Sequence, residues 1–198
     1  MEVGITGGIG AGKSFVCKIF STLGIPIYDA DSRARQLMEE SQSLREGIRA
    51  AFGDNSYNQE GALNREYLAN LVFSDSIKVQ ELNKLVHPEV AMDYLAWVDI
   101  WSSQAPYLVK EAALLIESGS YLKLDYLVTV TAPLDLRITR VLSRDPQRER
   151  KQIESIIERQ LSDPKRVEIS DFVLNNDEKQ MLIPQVLQLH SKFIGLVS

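Results

Sequence analysis

Glu2-Val3-Gly4-Ile5-Thr6 is followed at once by Gly7-Gly8-Ile9-Gly10-Ala11-Gly12-Lys13-Ser14, and then by apolar residues at helical spacing, Phe15, Val16, Ile19, Phe20 and Leu23. The first run has strand character and the last reads as a helix closed by Gly24. The segment between them matches G-x-x-x-x-G-K-[ST] without a mismatch. Its glycines let the backbone turn its N–H groups inward and approach closely. The helix that follows offers its N-terminus and the positive end of its dipole. Strand, glycine loop and helix in this order predict a phosphate cradle: backbone from Gly8, Ile9, Gly10, Ala11 and Gly12, Lys13 on the β- and γ-phosphates, Ser14 as a ligand to Mg²⁺, and Phe15 just beyond. The motif names a nucleoside triphosphate and leaves the reaction open.

Outward from the loop, Ile25-Pro26-Ile27-Tyr28 reads as a second strand closed by Asp29-Ala30-Asp31, with a helix from Ser32 to Glu40. Tyr107–Lys110 ending at Glu111, Tyr126–Thr131 and Phe172–Leu174 read as further strands. Helices are expected near 134–142, 152–161 and 178–194. Strands alternating with helices predict an α/β fold with a parallel sheet flanked by helices. Between Leu44 and Gln104 the apolar spacing is helical, with a polar interruption from Gly53 to Gly61. The expected organisation is one unit over 1–198: a core of 1–43 and 105–198, a helical insertion over 44–104, and a lid over 137–151.

The chain has 198 residues, within the span of one domain of roughly 100–200 residues plus an elaboration. Its 22 Lys and Arg against 27 Asp and Glu give net −5, so no global field gathers nucleic acid or anionic lipid. No apolar run approaches the ~18 residues of a membrane span. The lone Cys17 excludes an internal disulfide and a Cys-rich metal site, and fits a reducing, cytoplasmic setting. No obligatory protein partner is implied.

The reaction is narrowed by the carboxylates and arginines. There is no Asp-x-x-Gly for a GTPase switch and no Leu-Ser-Gly-Gly for a transporter ATPase. In open α/β sheets ligands sit at the carboxyl ends of strands. Asp29 stands at such an end, where a carboxylate can orient an acceptor hydroxyl and take its proton. Asp31 suits a helix cap. Glu111, at another strand end, either holds Mg²⁺ through water, binds substrate, or is a helix-start acid. Arg137, Arg140 and Arg144 share a helix face. Arg140 is expected to neutralise charge on the transferring group from a closing lid, and the other basic residues of this stretch suit a solvated face. His87 before Pro88 reads first as a packing or turn residue. A different small-acceptor or nucleotide kinase, and a nucleotide-gated binding protein, remain open on these residues alone.

The motifs together resemble the dephospho-coenzyme A kinases over Gly4 to Asp177. The resemblance is carried by the phosphate loop, Leu23-Gly24, Asp29-Ala30-Asp31 with Ala34-Arg35, and Gly61-Ala62-Leu63-Asn64-Arg65. Further along it is carried by Leu71-Val72-Phe73, Leu82-Asn83-Lys84-Leu85-Val86-His87-Pro88, Leu114-Leu115-Ile116-Glu117, Arg140 with Arg144, Gln160, and Asp171–Asn176. It implies a P-loop kinase fold with a helical domain for the coenzyme A moiety. It implies transfer of the γ-phosphate of ATP, with Mg²⁺, to the ribose 3′-hydroxyl of dephospho-coenzyme A. Asp29 would be the acid/base, Arg144 and Asn176 would lie on the nucleotide, and Asp31, Arg35, Arg65, His87 and Glu111 on the acceptor side. The chain departs from the family pattern at Phe15 (usually Thr), at Glu111-Ala112-Ala113 (usually Asp-x-Pro) and at Arg137 (frequently Gln).

Overall fold

The computed structural model describes residues 1–73 and 75–197. The chain forms two compact units, one of Met1–Asp29 with Asp99–Ser198 and one of Ala30–Val98.

The first unit is built on a sheet of five parallel strands: β1 (Glu2–Thr6), β2 (Ile27–Asp29), β3 (Leu108–Glu111), β4 (Tyr126–Thr131) and β5 (Phe172–Asn175), in the order β2-β3-β1-β4-β5. Alternation along each strand sorts the side chains to two faces. Val3 and Ile5 of β1, Val109 of β3, and Val128 and Val130 of β4 enter one core. There they meet Val16 and Phe20 of α1 (Lys13–Thr22) and Val186, Leu189 and Phe193 of α9 (Leu182–Val197). Each fully buried Val, Ile or Phe contributes about 1.5–3 kcal/mol over leaving it exposed. On the opposite face Gly4 is glycine for lack of room: a Cβ there would stand 2.6 Å from Leu124 Cδ1 and 3.0 Å from Leu115 Cδ1. The remaining helices of this unit are α6 (Leu134–Arg144), α7 (Arg150–Arg159) and α8 (Asp163–Ile169).

The second unit is helical: α2 (Ala30–Glu40), α3 (Gln42–Phe52), α4 (Arg65–Phe73) and most of α5 (Ser76–Trp101). Leu44, Ile48, Phe52, Tyr57, Leu68 and Val86 are its buried centre. Among the described residues no helix is long and apolar enough to cross a membrane.

The parallel sheet and the Gly53–Gly61 interruption stand as expected, with α3 ending at Phe52 and a short 3-10 turn at Asp54–Ser56. Four details differ. The helical unit begins at Ala30 and ends at Val98, not at 44 and 104, because Ala34, Leu37 and Met38 of α2 pack into its centre. Strand β2 starts at Ile27: Pro26 has no N–H to pair, and only its carbonyl accepts, from Val109 N–H at 3.0 Å. Helix α9 starts at Leu182 rather than near Glu178, because Asp177 Oδ1 takes the N–H groups of Lys179 and Gln180 into a turn and Glu178 has φ 64°. Helix α8 was not expected from the sequence, although Asp163-Pro164 is a helix-opening pair.

Candidate active site

The loop between β1 and α1 is stiffened from within. Ala11 N–H donates to Gly8 O at 3.1 Å, and Lys13 Nζ donates to Gly7 O at 3.1 Å. The Gly12 carbonyl accepts from Phe15 and Val16 N–H. Gly12 has φ 100°, and a Cβ there would collide with the Asn176 side-chain amide. Only glycine satisfies both demands. Helix α1 starts at Lys13, so its first N–H groups point out of the N-terminal end toward the loop's hollow.

A cleft of about 230 Å³ opens beside this loop, lined by Gly10, Gly12, Lys13, Ser14, Phe15, Arg140, Val141 and Arg144. The structure thus places Arg140 and Arg144 of α6 on the same cleft as the phosphate loop. Phe15 is 53% exposed. Arg140 Nη2 donates to Asn176 O at 3.1 Å and to Glu178 Oε1 at 3.1 Å, while its Nη1 is buried and has no hydrogen-bond partner among the described residues. Asn176 Nδ2 in turn donates to Ala11 O at 2.9 Å, so Asn176 braces the loop from the end of β5.

The acids stand on the same rim. Parallel pairing puts Asp29 opposite Glu111 and Glu111 opposite Ile5, beside the strand that feeds the loop. Ser14 Oγ donates to Glu111 Oε1 at 2.9 Å. Burial pushes the Glu111 carboxyl above the usual carboxylate range. The Ser14 hydrogen bond and the Lys13 charge oppose that rise, and the Asp29 charge adds to it. Cys17, one turn along α1 from Ser14, is also hydrogen-bonded to Glu111; burial first, then the Glu111 charge, pushes its thiol up, so it stays protonated.

Sequence reading missed three parts of this site. Ile9 N–H, expected on the phosphate, donates instead to Gln160 Oε1 at 2.9 Å. Arg137 is not on a solvated face or a moving lid: it is 4% exposed, and its Nε donates to Ile9 O at 2.9 Å. Cys17 counts in the sequence for disulfide, metal and compartment but not for the site, although its spacing of three from Ser14 places both on one helix face.

The acceptor-side candidates of the helical unit belong to different elements. Asp31 and Arg35 are exposed on α2. Asp31 lies inside the first turn rather than at the cap, because the helix already starts at Ala30; its charge there suits the helix dipole. Arg65 opens α4 and pairs with Glu39 at 3.2 Å. His87 lies within α5 ahead of Pro88, and partial burial lowers its pKa from the ordinary value, favouring the neutral ring.

The model of one protein family, described as dephospho-CoA kinase, matches residues 1–181. A dephospho-CoA kinase of Yersinia pseudotuberculosis is 34% identical over 200 aligned residues, covering 99% of this chain and 94% of the relative. Among solved structures, TT1252 from Thermus thermophilus is 30% identical with a TM-score of 0.83, covering 97% of this chain and 96% of that one. A dephospho-CoA kinase from Campylobacter jejuni, 22% identical with a TM-score of 0.72 over 98% and 97% of the two chains, shares the fold.

Proposed function

This chain belongs to the dephospho-CoA kinase family, and from that premise we propose how its residues divide the transfer of a phosphoryl group from ATP to dephospho-CoA. The loop from Gly8 to Ser14 and the N-terminus of α1 hold the β- and γ-phosphates, with the Lys13 charge on the transferring group. The ribose 3′-hydroxyl oxygen of the acceptor forms the new bond to the γ-phosphorus, the bond to the β–γ bridging oxygen breaks, and ADP leaves. The hydroxyl proton passes to the Asp29 carboxylate. Arg140 and Arg144 come over the phosphates from α6 and the segment to residue 151, which acts as the lid. Arg137, held in the core, is outside that lid.

The observation that carries this division is the acid pair at the strand ends. Asp29 and Glu111 are register partners, and Glu111 is already bonded to Ser14 at the mouth of the loop. One carboxylate thereby faces the phosphate side, and Asp29 stands next to it on the same rim, where an acceptor hydroxyl would meet a carboxylate. The Ser14 hydroxyl and the Glu111 carboxylate are hard oxygen donors 2.9 Å apart, a set that fits Mg²⁺. They would hold the ion together with phosphate oxygens and water, and the bound ion would supply charge neutralisation. The ordinary Asp would give a shorter reach at Glu111, and the longer side chain here closes directly on Ser14.

Asp31, Arg35, Arg65 and His87 are assigned to the acceptor's side on the resemblance of their motifs, and Phe15 and Asn176 to the nucleotide's side on their place at the loop. A cytoplasmic setting is part of the same proposal, supported by the single cysteine and by ATP as donor. The deciding experiment measures ADP release and product formation with dephospho-CoA, adenosine monophosphate, shikimate and water as acceptors. Dephospho-CoA is expected to exceed adenosine monophosphate by far in kcat/KM. Equal values for the two overturn the acceptor assignment.

A further inference from the structure

Ile9 is held at three points by elements far along the chain. Its N–H is taken by Gln160 and its carbonyl by Arg137 Nε, both at 2.9 Å, and its side chain packs against Ile138, Val141 and Ile153 between α6 and α7. Behind this lies a chain of ion pairs built on two buried arginines. Arg137 Nη1 donates to Asp163 Oδ2 at 2.9 Å, Arg166 Nη1 to Asp163 Oδ1 at 3.0 Å, and Arg166 Nη2 to Glu117 Oε1 at 3.1 Å. Arg137 and Arg166 are 4% and 1% exposed, so the two acids compensate two arginines that water barely reaches. The Arg137 guanidinium also packs against Gly8, where a Cβ would collide with it.

We propose that Arg137, oriented by Asp163, is a positioning residue that clasps the Ile9 peptide and so sets the conformation of the phosphate loop. The reason is geometric. The Ile9 N–H and C=O are both taken by partners from outside the loop, which fixes the peptides on either side of Ile9, and Ala11 N–H bonds back to Gly8 O across the turn. Guanidinium suits the task because one planar group reaches a carbonyl and a carboxylate at fixed angles. A lysine ammonium is one point charge. Its three donors sit on one nitrogen and do not span the Ile9 carbonyl and the Asp163 carboxylate as the separated Nε and Nη1 of arginine do.

The clasp, resting on the loop's being the donor-phosphate site, is tested on the full chain without acceptor. Binding of MgATP is measured by calorimetry for the wild type, Arg137→Ala, Arg137→Lys and Gln160→Leu, with the melting temperature of each, and kinetics follow on the folded fraction. Arg137→Ala is expected to weaken ATP binding about tenfold or more, the scale of a lost charge-assisted hydrogen bond, with the dephospho-CoA KM held within about twofold. Arg137→Lys is expected to recover part of that loss, and Gln160→Leu to weaken binding in the same direction. ATP affinity and kcat within about twofold of wild type in the variants, with only the melting temperature lowered, overturn the clasp and leave a core ion pair. If Arg137→Ala does not fold, Arg137→Lys and Gln160→Leu decide: unchanged ATP affinity in both overturns it. A wild type that does not bind ATP overturns the donor-site assignment and the clasp together, whereas normal wild-type binding with unchanged variants overturns the clasp alone.

Discussion

Ser14 and Glu111, 97 positions apart in the chain, meet in a hydrogen bond of 2.9 Å from Ser14 Oγ to Glu111 Oε1. It joins the first turn of α1 to the end of β3 and sets a buried carboxylate at the mouth of the phosphate loop. A carboxylate in that place is costly to the fold and useful to the chemistry, and the two effects separate in experiment.

Glu111→Gln is expected to lower transfer by about 10–100-fold, the usual cost of disturbing a group around a metal site, and to raise the melting temperature near neutral pH. The raised pKa means the folded chain binds this proton more tightly than the unfolded chain does. Folded stability therefore falls as pH climbs from the ordinary value of 4.5 through the raised one. The glutamine removes that loss, so the two melting curves should converge at pH below about 4 and part above it. Equal melting temperatures at all pH values would refute the penalty.

Asp29→Asn keeps size and hydrogen bonding but cannot take a proton. Transfer should fall on the order of 10²–10⁴-fold with ATP binding intact. Phosphoryl transfer is loose, so positioning competes with deprotonation as the residue's role. A small loss in kcat with a much higher acceptor KM would remove Asp29 as the base. Because α2 begins at Ala30, Asp29 also precedes a helix; a lower melting temperature with full activity per folded molecule would make it a cap.

Lys13→Ala should abolish measurable transfer, a loss of at least about 10²-fold, while the chain stays folded. Its ammonium donates to the Gly7 carbonyl at 3.1 Å, and it lines the cleft rather than the hydrophobic core. Turnover near wild type would sink the phosphate-loop assignment.

For Arg140→Ala, kcat is expected to fall by more than the ATP KM rises. The buried Nη1, without a hydrogen-bond partner among the described residues, is the motive. A guanidinium that engages charge only as it develops acts on kcat; a change confined to KM would mean equal grip on ground and transition states.

The phosphate loop was legible in the sequence because its chemistry is contiguous. Gly7–Ser14 carries its glycines, lysine and hydroxyl in one stretch, and the strand and helix around it have short periods. Asp29 and Glu111 were legible as strand ends because a parallel sheet puts its carboxyl ends on one rim. Their adjacency was not, because strand order is settled by packing across the sheet. Nor did helical spacing distinguish Arg137 from Arg140 and Arg144. Three arginines on one face look alike until Asp163 and Ile9 O, from elements distant in the chain, make one of them cheap to bury. The same holds for α2. Its local sequence says helix, but whether it belongs with the sheet or the helical unit depends on where Ala34, Leu37 and Met38 find apolar partners. What the amino-acid order determines alone is local: the cradle, the strand ends and the helical stretches. Which charges are buried and which acids pair is decided only when separate elements compete for the same contacts in the folded chain.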